Sequence, residues 1–270
     1  MKRKIIRIKS ADHRQKLIVL APKNRQGLVP GILWIHGGGF MFGMAAMVYD
    51  SCGKDIAKAY GGVVVSPGYR LASRAPYPAA VNDCYEALEY MWDHAEELGV
   101  DRDRIVVGGE SAGGGLAAAV CLMARDKGKI KVAMQIPLYP MLDCDDTESS
   151  RDNHGKVWNT RWNHWGWKHY LGSLYGSDNV PAYASPAKAN SFANLPPCYT
   201  YVCDGEPFYC ETLTYVQKLK DAGVPAKVDV FPGDVHAFEY YTFWKPYVKT
   251  AKQNRLAAFK AIIIDGKDEF

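Results

Sequence analysis

The stretch VVGGESAGGGLAAAV, residues 106–120, decides how the rest of the chain is read. A β-branched run turns into glycine, breaks on one serine, and continues as small residues. The pattern predicts a strand, a sharp turn and a helix, with Ser111 at the tip of Gly109-Glu110-Ser111-Ala112-Gly113. G-x-S-x-G in that setting is the nucleophile elbow, where side chains two positions from the serine would collide with neighbouring chain and glycine is needed. Ser111 would then stand at the start of a helix whose first amides favour developing negative charge. A serine at a glycine-rich strand-to-helix turn also serves as a plain helix N-cap, and the pentapeptide alone does not separate the two readings.

The flanking sequence supplies the rest of such a fold. KLIVLA (16–21), GILWIH (31–36), GVVVS (62–66), RIVVGG (104–109), VAMQIP (132–137), CYTYVC (198–203) and KVDVFP (227–232) read as strands. Several lack polar alternation, as strands buried on both faces do. Helical patterns separate them at 49–60, 79–98, 112–125, 209–222 and 243–264. That alternation predicts an α/β fold, a mostly parallel sheet with helices on both faces. Residues 143–180 interrupt the rhythm and are too long for a simple strand-to-helix loop. Four of the seven tryptophans lie there, and Trp158, Trp162 and Trp165 are spaced to form one stripe of a helix, with Trp167 just beyond. The stripe either packs an inserted helix onto the body or also lines a substrate crevice at the carboxyl ends of the strands.

Composition bounds the class. The 270 residues, 48% of them apolar, fit one domain with a sizeable core. The net charge of +4 comes from scattered basic residues, apart from MKRK at the start, and does not point to nucleic acid. The broken apolar run after MKRK is too short for a signal peptide and no stretch approaches membrane-spanning length. The expectation is a soluble cytoplasmic protein without stable membrane insertion. Seven dispersed cysteines, an odd number, show neither zinc-ligand spacing nor a disulfide framework and are expected to be reduced thiols, mostly buried. A homodimer is compatible with the chain.

A second motif adds chemistry. His36-Gly37-Gly38-Gly39-Phe40 follows GILWIH directly, and consecutive glycines let backbone N–H groups point unobstructed into a site, as an oxyanion hole requires. The lysine and Ser/Thr of a phosphate-binding loop are missing, and no acidic residue closes a dinucleotide unit. A serine nucleophile needs a base, and the base an orienting acid. Of the histidines after Ser111, His154, His164 and His169 lie in the insertion, whereas His236 follows the last strand in FPGDVHAFE. The loop after CYTYVC offers Asp204 and Glu206 as the acid.

Taken in order from Gly31, HGGGF, GYRLA (68–72), YPAAVNDC (77–84), GESAGG, IPLYPMLD (136–143), ASPAKA (184–189), LPPCYTYV (195–202), EPFYCET (206–212) and PGDVHAF (232–238) resemble the hormone-sensitive-lipase-like esterases of the α/β-hydrolase superfamily. The resemblance implies the α/β-hydrolase fold as a single domain over 1–270, with 143–180 as a small inserted lid. It implies a serine carboxylesterase acting on small esters of short to medium acyl length, with no metal and no organic cofactor. It implies an oxyanion hole from the amides of Gly38, Gly39 and Ala112 and a triad of Ser111, His236 and Glu206. Glu206 is preferred to Asp204 because Pro207, Phe208 and Glu211 follow it at the family's spacing. Phe40, Trp162 and Trp165 are the expected substrate contacts.

The departures from the family concern supporting positions. Glutamate stands at 110 and 206 where aspartate is commoner, Ala237 replaces the glycine after the histidine, and Gly115 stands where asparagine is frequent. The segment before HGGGF is short, which leaves 143–180 as the main lid. Two other readings share the motifs: an amidase or peptidase on the same triad, and a non-catalytic ligand-binding protein such as the plant gibberellin receptors, in which the histidine position is lost.

Overall fold

The β-branched and aromatic runs become one sheet of eight strands in a computed structural model that describes residues 1–10 and 13–270. The strands are β1 (Lys2–Lys9), β2 (Arg14–Ala21), β3 (Val29–Ile35), β4 (Val63–Gly68), β5 (Val100–Glu110), β6 (Met134–Leu138), β7 (Cys198–Cys203) and β8 (Ala226–Phe231). They lie in the order β1-β2-β4-β3-β5-β6-β7-β8. Every neighbouring pair from β4 to β8 is parallel, and β1 and β2 join antiparallel at one edge. All seven expected strands are present, within a few residues at each end. The strand that the sequence pattern hid is β1. Its first four residues are exposed, and Ile6 and Ile8 alternate with exposed Arg7 and Lys9. A charged edge strand of this kind blocks further pairing and carries little apolar signal.

Among the described residues eight α-helices connect and cover the strands: α1 (Cys52–Tyr60), α2 (Ala79–Asp93), α3 (Ala95–Leu98), α4 (Ala112–Lys127), α5 (Thr160–Leu171), α6 (Tyr209–Asp221), α7 (Phe238–Tyr241) and α8 (Pro246–Phe259). The period of two along β3 sorts the core into two layers. Leu33 and Ile35 pack with Leu88 of α2 and Leu116 of α4, while Ile32 and Trp34 pack with Ile56 of α1 and Phe259 of α8. Helix α4 is buried from Ala112 to Ala124, and its small residues let it run close to neighbouring backbone. At Gly115 a Cβ would stand 2.0 Å from the Met141 carbonyl oxygen, which accounts for glycine at this position. Among the described residues no helix is long and apolar enough to cross a membrane.

The insertion differs from its expected form. Helix α5 starts at Thr160, where the Asn159 side chain caps it by accepting the Trp162 N–H at 3.2 Å. Trp158 therefore precedes the helix, and the three-tryptophan stripe does not form. The buried face of α5 is Asn163, Gly166, Trp167, Tyr170 and Leu171, the i, i+3, i+4, i+7, i+8 spacing of one helix face, while Trp162 is 43% exposed. Trp167 and Tyr170 anchor the helix against Phe40, at ring distances of 5.2 and 3.9 Å. The start of the insertion is tied down by Glu211, a buried carboxyl that accepts the Leu142 and Asp143 N–H groups at 2.6 and 3.2 Å. GYRLA and YPAAVNDC meet likewise: Arg70 reaches Asp83 through its guanidinium and its backbone N–H, both at 2.8 Å.

Candidate active site

Strand β5 ends in a turn that places Ser111 at φ 59°, ψ −123°, a conformation that L-residues rarely adopt. It is held there from both sides. The Ser111 N–H donates to the Leu138 carbonyl at 3.0 Å, and the Ser111 carbonyl accepts from Met141 N–H at 3.1 Å and Gly115 N–H at 3.0 Å. The flanking glycines follow from backbone contact: a Cβ on Gly113 would lie 2.2 Å from the Ile35 carbonyl oxygen, and one on Gly109 would lie 2.4 Å from that of Gly113. Only a turn stripped of side chains fits against the end of β3.

Ser111 Oγ lies 2.8 Å from His236 Nε2. The other ring nitrogen, Nδ1, makes a short contact with Glu206 Oε2. Glu206 is fully buried, and its second oxygen accepts the Cys203 N–H at 2.8 Å, so both carboxylate oxygens are committed. Asp204 turns to the surface, where its Oδ1 accepts the Gly233 N–H at 2.9 Å. Of the two candidate acids, Glu206 and not Asp204 meets the imidazole. His154, His164 and His169 remain on the exposed side of the insertion.

The HGGGF loop lies directly on the elbow, since a Cβ on Gly37 would stand 2.8 Å from the Glu110 carbonyl oxygen and 3.2 Å from Ser111 Cβ. Gly38 and Gly39 both have positive φ, at 116° and 56°. Among the described residues no backbone acceptor is paired with the amides of Gly38, Gly39 or Ala112; Gly38 and Gly39 line one cavity with Ser111, and Ala112 follows it in the chain. His36 is a structural part of this loop: its Nδ1 lies 2.8 Å from the Gly37 carbonyl and its ring stacks on Tyr69 at 4.2 Å. Burial lowers its pKa to about 4, which keeps the ring neutral.

A cavity of about 580 Å³ opens over Ser111 and His236, walled by Phe42, Trp158, Trp162, Tyr240 and Tyr241 among others. Of the three expected substrate contacts, Trp162 faces it. Phe40 does not, because its ring is 1% exposed and stacked on Tyr170. Trp165 packs against Phe42 at 5.6 Å and does not line the cavity. Tyr240 and Tyr241 were missed by sequence reasoning, although EYY follows His236 at the spacing of one helical turn. Asp143, Cys144 and Asp145 could share an ion, but Asp145 is paired with Lys188 at 2.5 Å and burial pushes the Cys144 thiol up to about 11. That donor set does not suit a metal.

Comparison with known proteins gives the family. Residues 32–240 match the alpha/beta hydrolase fold family. The chain belongs to the hormone-sensitive-lipase-like α/β hydrolases. It is 32% identical over 247 residues to Esterase LipI of Mycobacterium tuberculosis, spanning 88% of this chain and 74% of that protein. It is also 32% identical over 238 residues to an arylesterase of Saccharolobus solfataricus, spanning 86% and 76%. Among solved structures, a bacterial heroin esterase superposes with a TM-score of 0.92 at 36% identity, over 97% of this chain and 84% of that one. Within this α/β-hydrolase family the glycine usual after the histidine has a physical reason that Ala237 exposes. Ala237 sits at φ 55°, ψ 44°, the left-handed region that costs an L-residue about 1–2 kcal/mol.

Proposed function

We propose that this α/β hydrolase is a serine carboxylesterase that hydrolyses small esters of short to medium acyl length through an acyl-enzyme. The observation that carries the reading is the hydrogen-bonded row from Ser111 Oγ through the His236 ring to the Glu206 carboxylate. Ser111 attacks the ester carbonyl while His236 Nε2 takes its proton, and Glu206 holds the imidazolium in place. The Gly38, Gly39 and Ala112 amides receive the developing oxyanion. His236 returns the proton to the leaving alcohol; water, deprotonated by the same imidazole, then releases the acid. Relatives named carboxylesterase and ethyl acetate hydrolase support an ester substrate of modest size. The aromatic walls and the volume of the cavity, about 580 Å³, suit such a group as well.

A panel of p-nitrophenyl esters of rising chain length against matched anilides tests this reading. Esters should be turned over well and anilides far more slowly; anilides cleaved as fast as the esters would make the protein an amidase. Failure on both would favour a ligand-binding role.

Segment 143–180 acts in this reading as a lid whose outer and inner tryptophans differ in role. Trp162→Ala should shift preference toward longer acyl chains and leave the melting temperature nearly unchanged, because the ring is 43% exposed and lines the cavity. Trp167→Ala should melt earlier, with a loss of about 3–5 kcal/mol of stability, because its ring is 1% exposed and packed against Phe40. Melting curves and an acyl-chain profile on both variants check the pair; a Trp162 variant that only loses stability would remove the lid from the pocket wall.

A further inference from the structure

The mechanism leaves a set of hydrogen-bonded polar groups beside His236 without a role, running from buried Glu110, Tyr139 and Tyr201 to half-buried Glu239 and to Tyr240, which is 42% exposed. Helix α7 begins two residues after the base and carries Glu239 and Tyr240 side by side. The Tyr240 hydroxyl donates to Glu110 Oε1 at 2.9 Å, and Glu110 is the residue immediately before Ser111. The same oxygen accepts the Cys52 N–H at 3.0 Å and Trp34 Nε1–H at 3.2 Å. Glu239 Oε1 accepts two phenols, Tyr139 at 2.8 Å from the end of β6 and Tyr201 at 2.6 Å from β7. Arg255 of α8 backs this second cluster by donating to the Tyr201 hydroxyl at 2.8 Å. The Tyr139 ring in turn stands edge-on to the His236 ring, 5.0 Å away.

A helix of four residues entered through a left-handed alanine has little stability of its own, and strained conformations persist only where their surroundings hold them. We propose that Tyr240 and Glu239 are positioning residues that clasp the His236 segment in place, Tyr240 to the serine elbow through Glu110 and Glu239 to β6 and β7 through Tyr139 and Tyr201. The inference rests on the triad reading given above. The base must stay within hydrogen-bond reach of Oγ, and a displacement of about 1 Å can cost 10²-fold in rate. Hydrogen bonds to an ionised carboxylate are also stronger than neutral ones, so the clasp tightens as Glu110 ionises.

Burial raises the Glu110 pKa to about 7, opposed by the Cys52, Tyr240 and Trp34 donors. The titratable groups that face it are Glu239 and Tyr240 from α7, Cys52 from α1 and Tyr139 from the end of β6. Removing the Tyr240 donor takes away a group that favours the carboxylate. The Glu110 ionisation then moves further up, but with the hydroxyl gone it no longer acts on the His236 segment, so the part of the pH dependence that Glu110 contributes is lost.

Tyr240→Phe tests the clasp cleanly because it keeps the ring that walls the cavity and deletes only the hydroxyl. The measurements are kcat and KM on one short ester, and the rate at which a p-nitrophenyl phosphonate labels the serine, each across pH. The variant should lose roughly ten- to a hundred-fold in kcat and in labelling rate with KM little changed, and its pH profile should lose the component that follows Glu110 ionisation. Glu239→Gln keeps an acceptor oxygen for both tyrosines and should retain most of the rate, whereas Glu239→Ala should not. A Tyr240→Phe enzyme with wild-type kcat and pH profile overturns the clasp, and so does a change confined to KM, which would make Tyr240 a substrate contact. Wild-type protein that the phosphonate does not label would sink the serine-hydrolase reading itself, whereas wild-type labelling with an unchanged variant sinks this inference alone.

Discussion

Ser111→Ala should lower kcat on a short ester by about 10⁴-fold or more while the protein melts almost where the wild type does. The two halves of that expectation come from different features of the elbow. Activity is lost because Oγ is the atom that faces His236 Nε2 at 2.8 Å. Stability is kept because the turn is held by the Ser111 backbone, through Leu138, Met141 and Gly115, and alanine keeps all three bonds. Nor does the substitution worsen the φ of 59°, since both residues carry the same Cβ. The one hydroxyl hydrogen bond removed is worth about 0.5–1.5 kcal/mol. Initial rates on a p-nitrophenyl ester, beside a thermal melt, measure both. Residual kcat above about a hundredth of the wild type would rule Ser111 out as the nucleophile, since removal of a true triad serine is far more damaging.

The elbow was legible in the sequence because its constraint is steric and leaves only glycine at two fixed positions. Gly109 is forced by the Gly113 carbonyl of its own turn and, like Gly113, by the Ile35 carbonyl at the end of β3, so the glycine pattern itself records how closely the turn lies on its neighbours. Buried parallel strands were legible for a similar reason, since their apolar runs have no polar face to hide them. What the sequence obscured depends on partners far away in the chain. Trp158, Trp162 and Trp165 had helical spacing, but the Asn159 cap starts α5 after the first of them, and Trp167 carries the packing instead. Phe40 sits beside the glycine loop in sequence yet spends its ring on Tyr170, 130 residues later. Glu110 read only as glutamate where aspartate is commoner; its contacts come from Trp34, Cys52 and Tyr240, which no local pattern links. The charged edge strand β1 escaped because exposure, not burial, dictates its residues.

The choice of acid is where sequence habit and geometry part, and Glu206→Gln should decide it with a fall in kcat of roughly 10⁴-fold. Asp204 follows β7 directly and has the commoner side chain for the role. Its Oδ1, however, accepts the Gly233 N–H and holds the turn after β8. Glu206 has one oxygen on the Cys203 N–H and the other on His236 Nδ1. An amide cannot serve both partners. With its oxygen on Cys203, the glutamine turns an NH₂ group toward Nδ1, which must then accept; the proton moves to Nε2, where it faces Ser111 as a donor and can no longer remove the serine proton. With the amide reversed, its NH₂ meets the Cys203 N–H in a buried site, at a cost of about 1–3 kcal/mol for unmatched donors. Asparagine at 204 keeps an oxygen for Gly233, so Asp204→Asn should stay near the wild-type rate and near its melting temperature. Turnover by both variants on one short ester, with circular dichroism to confirm folding, gives the answer. A folded Glu206→Gln enzyme at wild-type rate beside an inactive Asp204→Asn would move the acid to Asp204 and require the loop after β7 to rearrange in the working enzyme.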